Sequence, residues 1–254
     1  MRGLMLFLRS ALFNLAFYIL LIGLMIFGLP MVLQGRQGIF LLLRAWARGT
    51  IFLLKHICNI TVEFRHAERI PKGSLLIASK HQSFLETFTM PLFFNDFTFV
   101  LKKQLKYIPI FGWYLTVAEQ IAIDRGDGKS AMRQVISKAT LAFAAGRQMF
   151  IFPEGTRRPV GAAPAYKPGA NLIYTRTGVR CLPVAINTGL FWPRRKFLRY
   201  PGTVVIEFLP VIEPGLDGTT FGKALQDAIE TASNALIKEA LAQNPDRAHL
   251  ICAS

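Results

Sequence analysis

A chain of 254 residues holds one substantial domain plus a small appendage, and length alone does not separate one domain from two. Apolar residues make up 52% and charged residues 18%, against ~25% charged in ordinary soluble domains, so the chain either hides an unusually apolar segment or faces lipid. The formal net charge of +15 is concentrated: Leu101–Tyr200 carries 17 Lys+Arg against 4 Asp+Glu. Such a field calls for an anionic partner, and its combination with high apolarity favours lipid headgroups or a phosphorylated substrate over nucleic acid. Three widely spaced cysteines, Cys58, Cys181 and Cys252, give neither a disulfide framework nor a zinc site and fit a reducing compartment.

The first sixty residues are the apolar part. Ala11–Leu33 carries no charge and is long enough to cross ~30 Å of hydrocarbon as a helix. The run is too long for a secretory signal, and no small-residue cleavage site follows it. After Gln34–Gly38, a second segment running from Ile39 to Ile60 places Arg44, Arg48 and Lys55 on one helical stripe with Leu, Ile and Phe opposite, which predicts a helix lying in the membrane interface. Basic residues flank the first segment on both sides, so charge does not choose between a single span and a re-entrant two-helix hairpin.

From about Ile60 the pattern changes. Ser74–Ala78, Phe97–Val100, Ile121–Ile123, Met149–Phe152, Leu182–Ile186 and Val204–Phe208 read as strands. Met132, Val135, Ile136, Ala139 and Phe143 predict a helix closed by Gly146, and Leu225, Ala228, Ile229, Ala232 and Leu236 predict another stopped by Asn244-Pro245. The expectation is an α/β fold: a largely parallel sheet flanked by helices, with an N-terminal two-helix membrane-binding segment. Residues 1–58 would form that segment and 59–254 the domain, which is expected to fold without it.

Four clusters carry chemistry. Of four histidines only His81 falls just past the end of a buried strand, with Glu86 five residues on and able to orient it. Ser83 with Glu86 is also a capping box, which needs no catalysis. The run Phe152-Pro153-Glu154-Gly155-Thr156-Arg157 follows a strand: Gly155 lets backbone N–H groups approach an anion, Arg157 offers a fork matched to phosphate, and Glu154 can hold such an arginine. Ile123-Asp124-Arg125-Gly126 ends another strand, and Leu101–Lys106 places a lysine cluster before an aromatic loop.

In this order and spacing the clusters resemble the four blocks of the glycerolipid acyltransferase family, over roughly Ile60 to Leu209. His81 matches the base of the first block, His-x4-Asp. The second resembles Ile121–Arg125, the third Phe152–Arg157 and the fourth Leu182–Ile186. Position 86 departs from the pattern: it is Glu where Asp is usual, and the extra methylene moves the carboxylate outward. The resemblance implies direct transfer of a fatty-acyl group from an acyl thioester, on acyl carrier protein or coenzyme A, to the sn-2 hydroxyl of 1-acylglycerol-3-phosphate. His81 and Glu86 would be catalytic. Lys103, Arg125, Glu154, Gly155, Thr156 and Arg157 would bind substrate. No metal and no cofactor are expected, membrane lipids are partners, and nucleic acid is not. The expected location is the cell inner membrane with the active site on the cytoplasmic side. The competing readings are an acyltransferase for another lyso-lipid, such as a lyso-ornithine lipid, and a basic peripheral membrane protein without catalysis.

Overall fold

The computed structural model describes residues 2–124 and 128–252. Helix α1, Arg2–Phe27, is followed by a 3-10 turn at Leu29–Gln34 and by α2, Gly35–Cys58. At 1.5 Å per residue the 26 residues of α1 extend about 39 Å. The two helices fold back on each other, with Gly28 beside Leu42, Phe17 beside Trp46 and the Cys58 thiol beside the Arg9 carbonyl. A Cβ on Gly28 would lie 2.3 Å from the Leu24 carbonyl oxygen and 2.6 Å from a Leu42 methyl, so glycine suits this close approach. Both helices are long and apolar enough to cross a membrane. Outward, α1 shows an open row that includes Leu4, Leu8, Leu12, Leu15, Ile19 and Ile22. An apolar face this long is a membrane-contacting surface.

The opposite side of α1 is packed on the domain along its length, from Phe7 against Phe197 to the Met25 carbonyl, which accepts from the Tyr114 hydroxyl at 2.7 Å. Phe13, Phe17, Phe40 and Leu54 belong to the main core. Burying each such side chain stabilises by roughly 1.5–3 kcal/mol. Residues 1–58 thus cover one face of the sheet, so the boundary expected at residue 58 separates two segments that share a core. Arg44 also departs from the expected interfacial basic stripe, because its Nη2 donates to the Phe94 carbonyl at 2.9 Å.

The sheet has seven strands: β1 Ile60–Arg65, β2 Leu75–Ser79, β3 Phe97–Lys102, β4 Ile121–Ile123, β5 Gln148–Ile151, β6 Cys181–Ile186 and β7 Gly202–Phe208, in the order β1-β7-β6-β2-β5-β3-β4. All pairs are parallel except β6 with β7. Every residue of β2 and β6 is buried, which is why both read as continuous apolar runs. One face, with Leu75, Ile77, Phe97 and Phe150, packs under α1 and α2. The other, with Leu76, Ala78 and Met149, packs against α5 (Gly128–Ala144), α6 (Gly169–Thr177) and α7 (Gly218–Gln243). Short helices α3, Leu85–Thr89, and α4, Phe111–Val117, complete the fold.

Candidate active site

The register of the central strands assembles the site. Ala78 of β2 pairs with Ile151 of β5, and Ser79 pairs with Val184 of β6, so the segments leaving these strands emerge side by side. This is the carboxyl edge of a parallel sheet, where ligands bind in such folds. His81 stands two residues past β2, and its ring stacks on Phe152, one residue past β5, at 3.9 Å between centroids and 14° between planes.

His81 Nδ1 lies 2.9 Å from Oε1 of Glu86. The same oxygen accepts from the backbone N–H groups of Gln82 at 2.8 Å and Ser83 at 2.7 Å. Oε2 accepts from the Thr188 hydroxyl at 2.9 Å. Glu86 is fully buried, so these donors replace the water it has lost. With Nδ1 engaged, Nε2 is the nitrogen left to the cavity that His81 lines. The N-cap position of α3 falls on Phe84 rather than on Ser83, whose hydroxyl accepts from Leu85 N–H at 3.2 Å. Ser83 is itself fully buried.

The loop after β5 curls around His81. Gly155 adopts φ +68, a left-handed conformation that favours glycine, and Arg158 N–H donates to the His81 carbonyl at 2.7 Å. Gly155, Thr156 and Arg157 line the cavity. Glu154 does not: its side chain is buried behind the loop, where Lys80 Nζ stands 3.8 Å away and Arg158 Nε 3.9 Å away. Burial, followed in size by the opposing Lys80 charge, pushes the Glu154 carboxyl above its usual range. Lys80 Nζ also donates to Glu230 of α7 at 2.5 Å, and the Tyr166 hydroxyl donates to the same oxygen at 3.0 Å. This network anchors the loop from below.

Lys102 lines the cavity, whereas its neighbour Lys103 opens the following 3-10 turn and does not. Arg125 lies outside the described residues. The sequence reading missed Lys102, Lys167, Arg194 and Arg195 on the cavity wall, and Thr188 behind the dyad. The cavity measures about 780 Å3. Its apolar walls include Leu24 and Met25 of α1, Phe40 and Trp46 of α2, Phe99 of β3 and Ile173 of α6. Burial holds the Arg157 guanidinium below the usual arginine range; nearby Glu86 opposes that shift, while Arg194 and Arg195 add to it. Among the described residues no group of His, Cys, Asp and Glu is placed to hold a metal ion.

A carboxylate-oriented histidine opening on a largely apolar cavity beside basic side chains fits a lipid-handling transferase. The chain belongs to the acyltransferase family, whose model matches residues 61–187. It is 34% identical to the 1-acyl-sn-glycerol-3-phosphate acyltransferase of Pseudomonas aeruginosa, over 87% of this chain and 84% of that protein. The protein of the same description from Borreliella burgdorferi is 29% identical, over 68% of this chain and 69% of its own length. The fold is shared with the crystal structure of the 1-acyl-sn-glycerophosphate acyltransferase of Thermotoga maritima, at a TM-score of 0.74 and 23% identity, covering 90% of this chain and 97% of that one.

Proposed function

We propose that this protein transfers a fatty-acyl group from an acyl thioester, on acyl carrier protein or coenzyme A, to the sn-2 hydroxyl of 1-acylglycerol-3-phosphate, giving phosphatidic acid for phospholipid synthesis. The observation that carries this reading is the placement of His81 and Arg157 on one cavity, with the His81 ring fixed through Nδ1 by a buried Glu86. The names of the relatives support the choice of acceptor.

His81 Nε2 takes the proton of the acceptor hydroxyl as its oxygen attacks the thioester carbonyl. The tetrahedral intermediate collapses with cleavage of the carbon–sulfur bond, and the imidazolium returns the proton to the departing thiolate. Glu86 stabilises the imidazolium between these steps. Positioned acid–base catalysis of this kind contributes ~10²–10⁴-fold. Arg157 holds the acceptor's phosphate, the Gly155–Thr156 backbone lies beside it, and Glu154 supports the loop from behind. Lys102 supplies cavity-facing positive charge where Lys103 was expected to. The apolar walls take acyl chain.

The apolar face of α1 sets the protein in a bilayer, and we assign it to the cytoplasmic side of the cell inner membrane, where both soluble donors are made. Purified full-length protein in detergent, given acyl-coenzyme A or acyl carrier protein with a panel of lyso-lipids, tests the reading. Phosphatidic acid from 1-acylglycerol-3-phosphate is expected as the main product. Preferred acylation of a phosphate-free lyso-lipid contradicts it.

A further inference from the structure

Beyond the family motifs, one loop outside them places two more cations on the cavity wall. It runs from Phe191 to Tyr200, between the 3-10 turn after β6 and β7. Arg194 and Arg195 line the same cavity as His81 and Arg157. Arg195 has φ 56, a left-handed backbone unusual for a residue with a Cβ, and this bend lets two consecutive arginines share one cavity wall. Arg194 Nη1 donates to the Arg157 carbonyl at 2.6 Å, tying the loop to the family's third motif. Among the described residues, none of Arg157, Arg194 and Arg195 forms a side-chain ion pair, whereas Arg36, Arg65, Arg147, Arg158 and Arg247 each stand within ion-pair distance of an acid. Glu86 is the one acid whose charge acts on Arg157, against the charges of Arg194 and Arg195; that excess of positive charge repels, and an anion of high charge relieves the repulsion.

A second group of contacts fixes this loop. Arg199 is 7% exposed, and its Nη1 donates to the carbonyls of Lys196, Phe197 and Leu198 at 2.8, 2.9 and 3.1 Å. Its Nη2 donates to Asn14 Oδ1 of α1 at 3.0 Å, and its guanidinium lies over Trp192 at 4.4 Å. From α1, the Ser10 hydroxyl accepts from Arg199 N–H at 2.9 Å and Asn14 Nδ2 donates to the Phe197 carbonyl at 3.3 Å. Burial pushes Arg199 down to about 10, which leaves it charged at neutral pH. The polar residues Ser10 and Asn14 of α1 are thereby explained: they are the α1 half of this lock.

We propose that Arg194 and Arg195 complete, with Arg157, a clamp that selects an acceptor ending in a phosphomonoester, and that Arg199 is the positioning residue that locks the clamp to α1. The inference rests on the proposed acceptor class and sharpens it. A phosphomonoester carries about −1.5 to −2 at pH 7, and three planar forks can engage its terminal oxygens. A phosphodiester headgroup carries a single charge and fewer free oxygens, so it gains less from the second and third arginine. The membrane helix becomes part of the acceptor site rather than an anchor alone.

The test compares wild type, Arg195→Gln and Arg199→Lys in the full-length chain, with lysophosphatidate and lysophosphatidylglycerol as acceptors and acyl-coenzyme A as donor. Melting curves and vesicle flotation first establish that both variants fold and bind membranes. Each variant is expected to lose about tenfold or more in kcat/KM for lysophosphatidate, through KM for the acceptor, with donor KM unchanged and a much smaller loss on lysophosphatidylglycerol. Equal loss on both acceptors in Arg195→Gln overturns the clamp. Unchanged acceptor selectivity in folded Arg199→Lys overturns the positioning role. A wild-type protein that acylates neither acceptor removes the proposed function itself, a result distinct from either.

Discussion

Oε1 of Glu86 sits 2.9 Å from Nδ1 of His81 while also accepting two backbone N–H groups, so the glutamate fills the place where the family pattern has aspartate. The longer side chain starts in the first turn of α3 and folds back over residues 82 and 83, which absorbs the extra methylene. Glu86→Gln replaces one acceptor oxygen with a donor that meets other donors. We expect a loss of ~10²–10⁴ in kcat with acceptor KM little changed, and a smaller loss for Glu86→Asp. Steady-state kinetics on the purified variants checks the order; a glutamine variant as active as the aspartate one contradicts it.

Thr188 donates to the second oxygen of Glu86 inside the core. Thr188→Val keeps the shape and removes that donor. The expected result is a stability loss of about 1–3 kcal/mol, read by chemical denaturation, with kcat lowered more than acceptor KM is raised. Wild-type kcat in this variant would show that one oxygen of Glu86 suffices.

Glu154 is a carboxyl whose folded pKa is raised, mainly by burial. Its protonated form is therefore favoured by folding, so its contribution to stability is fully present below its unfolded pKa and is lost as pH rises through the folded value. Compared with Glu154→Gln, the wild-type advantage in melting temperature should shrink as pH increases from about 4.5 upward. A gap that widens over that range would mean that Lys80 and Arg158 dominate the site instead.

Leu24 of α1 stands on the cavity wall. Leu24→Trp fills part of that space, and we expect the preferred acyl chain to shorten by a few carbons while His81 chemistry persists. Competition among donors of graded length reads this directly. An unchanged length profile would place the acyl chain away from α1.

Much of the sheet was legible because β2 and β6, buried on both faces, leave unbroken apolar runs, and because the α5 and α7 faces repeat with helical period. The first strand, Ile60–Arg65, and α6 were not read, since β1 is a partly exposed edge strand and α6 is a nine-residue helix opened by glycine. His81 and Arg157 could be placed on one cavity because their segments each leave a strand end and together match the family pattern. Thr188 and Arg194 reach the site only through the register of β6 beside β2, a long-range pairing that no local spacing encodes. The exchange of Lys103 for Lys102 is a one-residue matter of where β3 ends and which face its last residue takes.

The account stands on His81 as the base. The most direct measurement is turnover of 1-acylglycerol-3-phosphate and acyl thioester by purified His81→Ala, in detergent, with melting and membrane binding verified in the same preparation. Phosphatidic acid formation is expected to fall by at least ~10²-fold in protein that remains folded and membrane-bound. Wild-type turnover by that variant would contradict it.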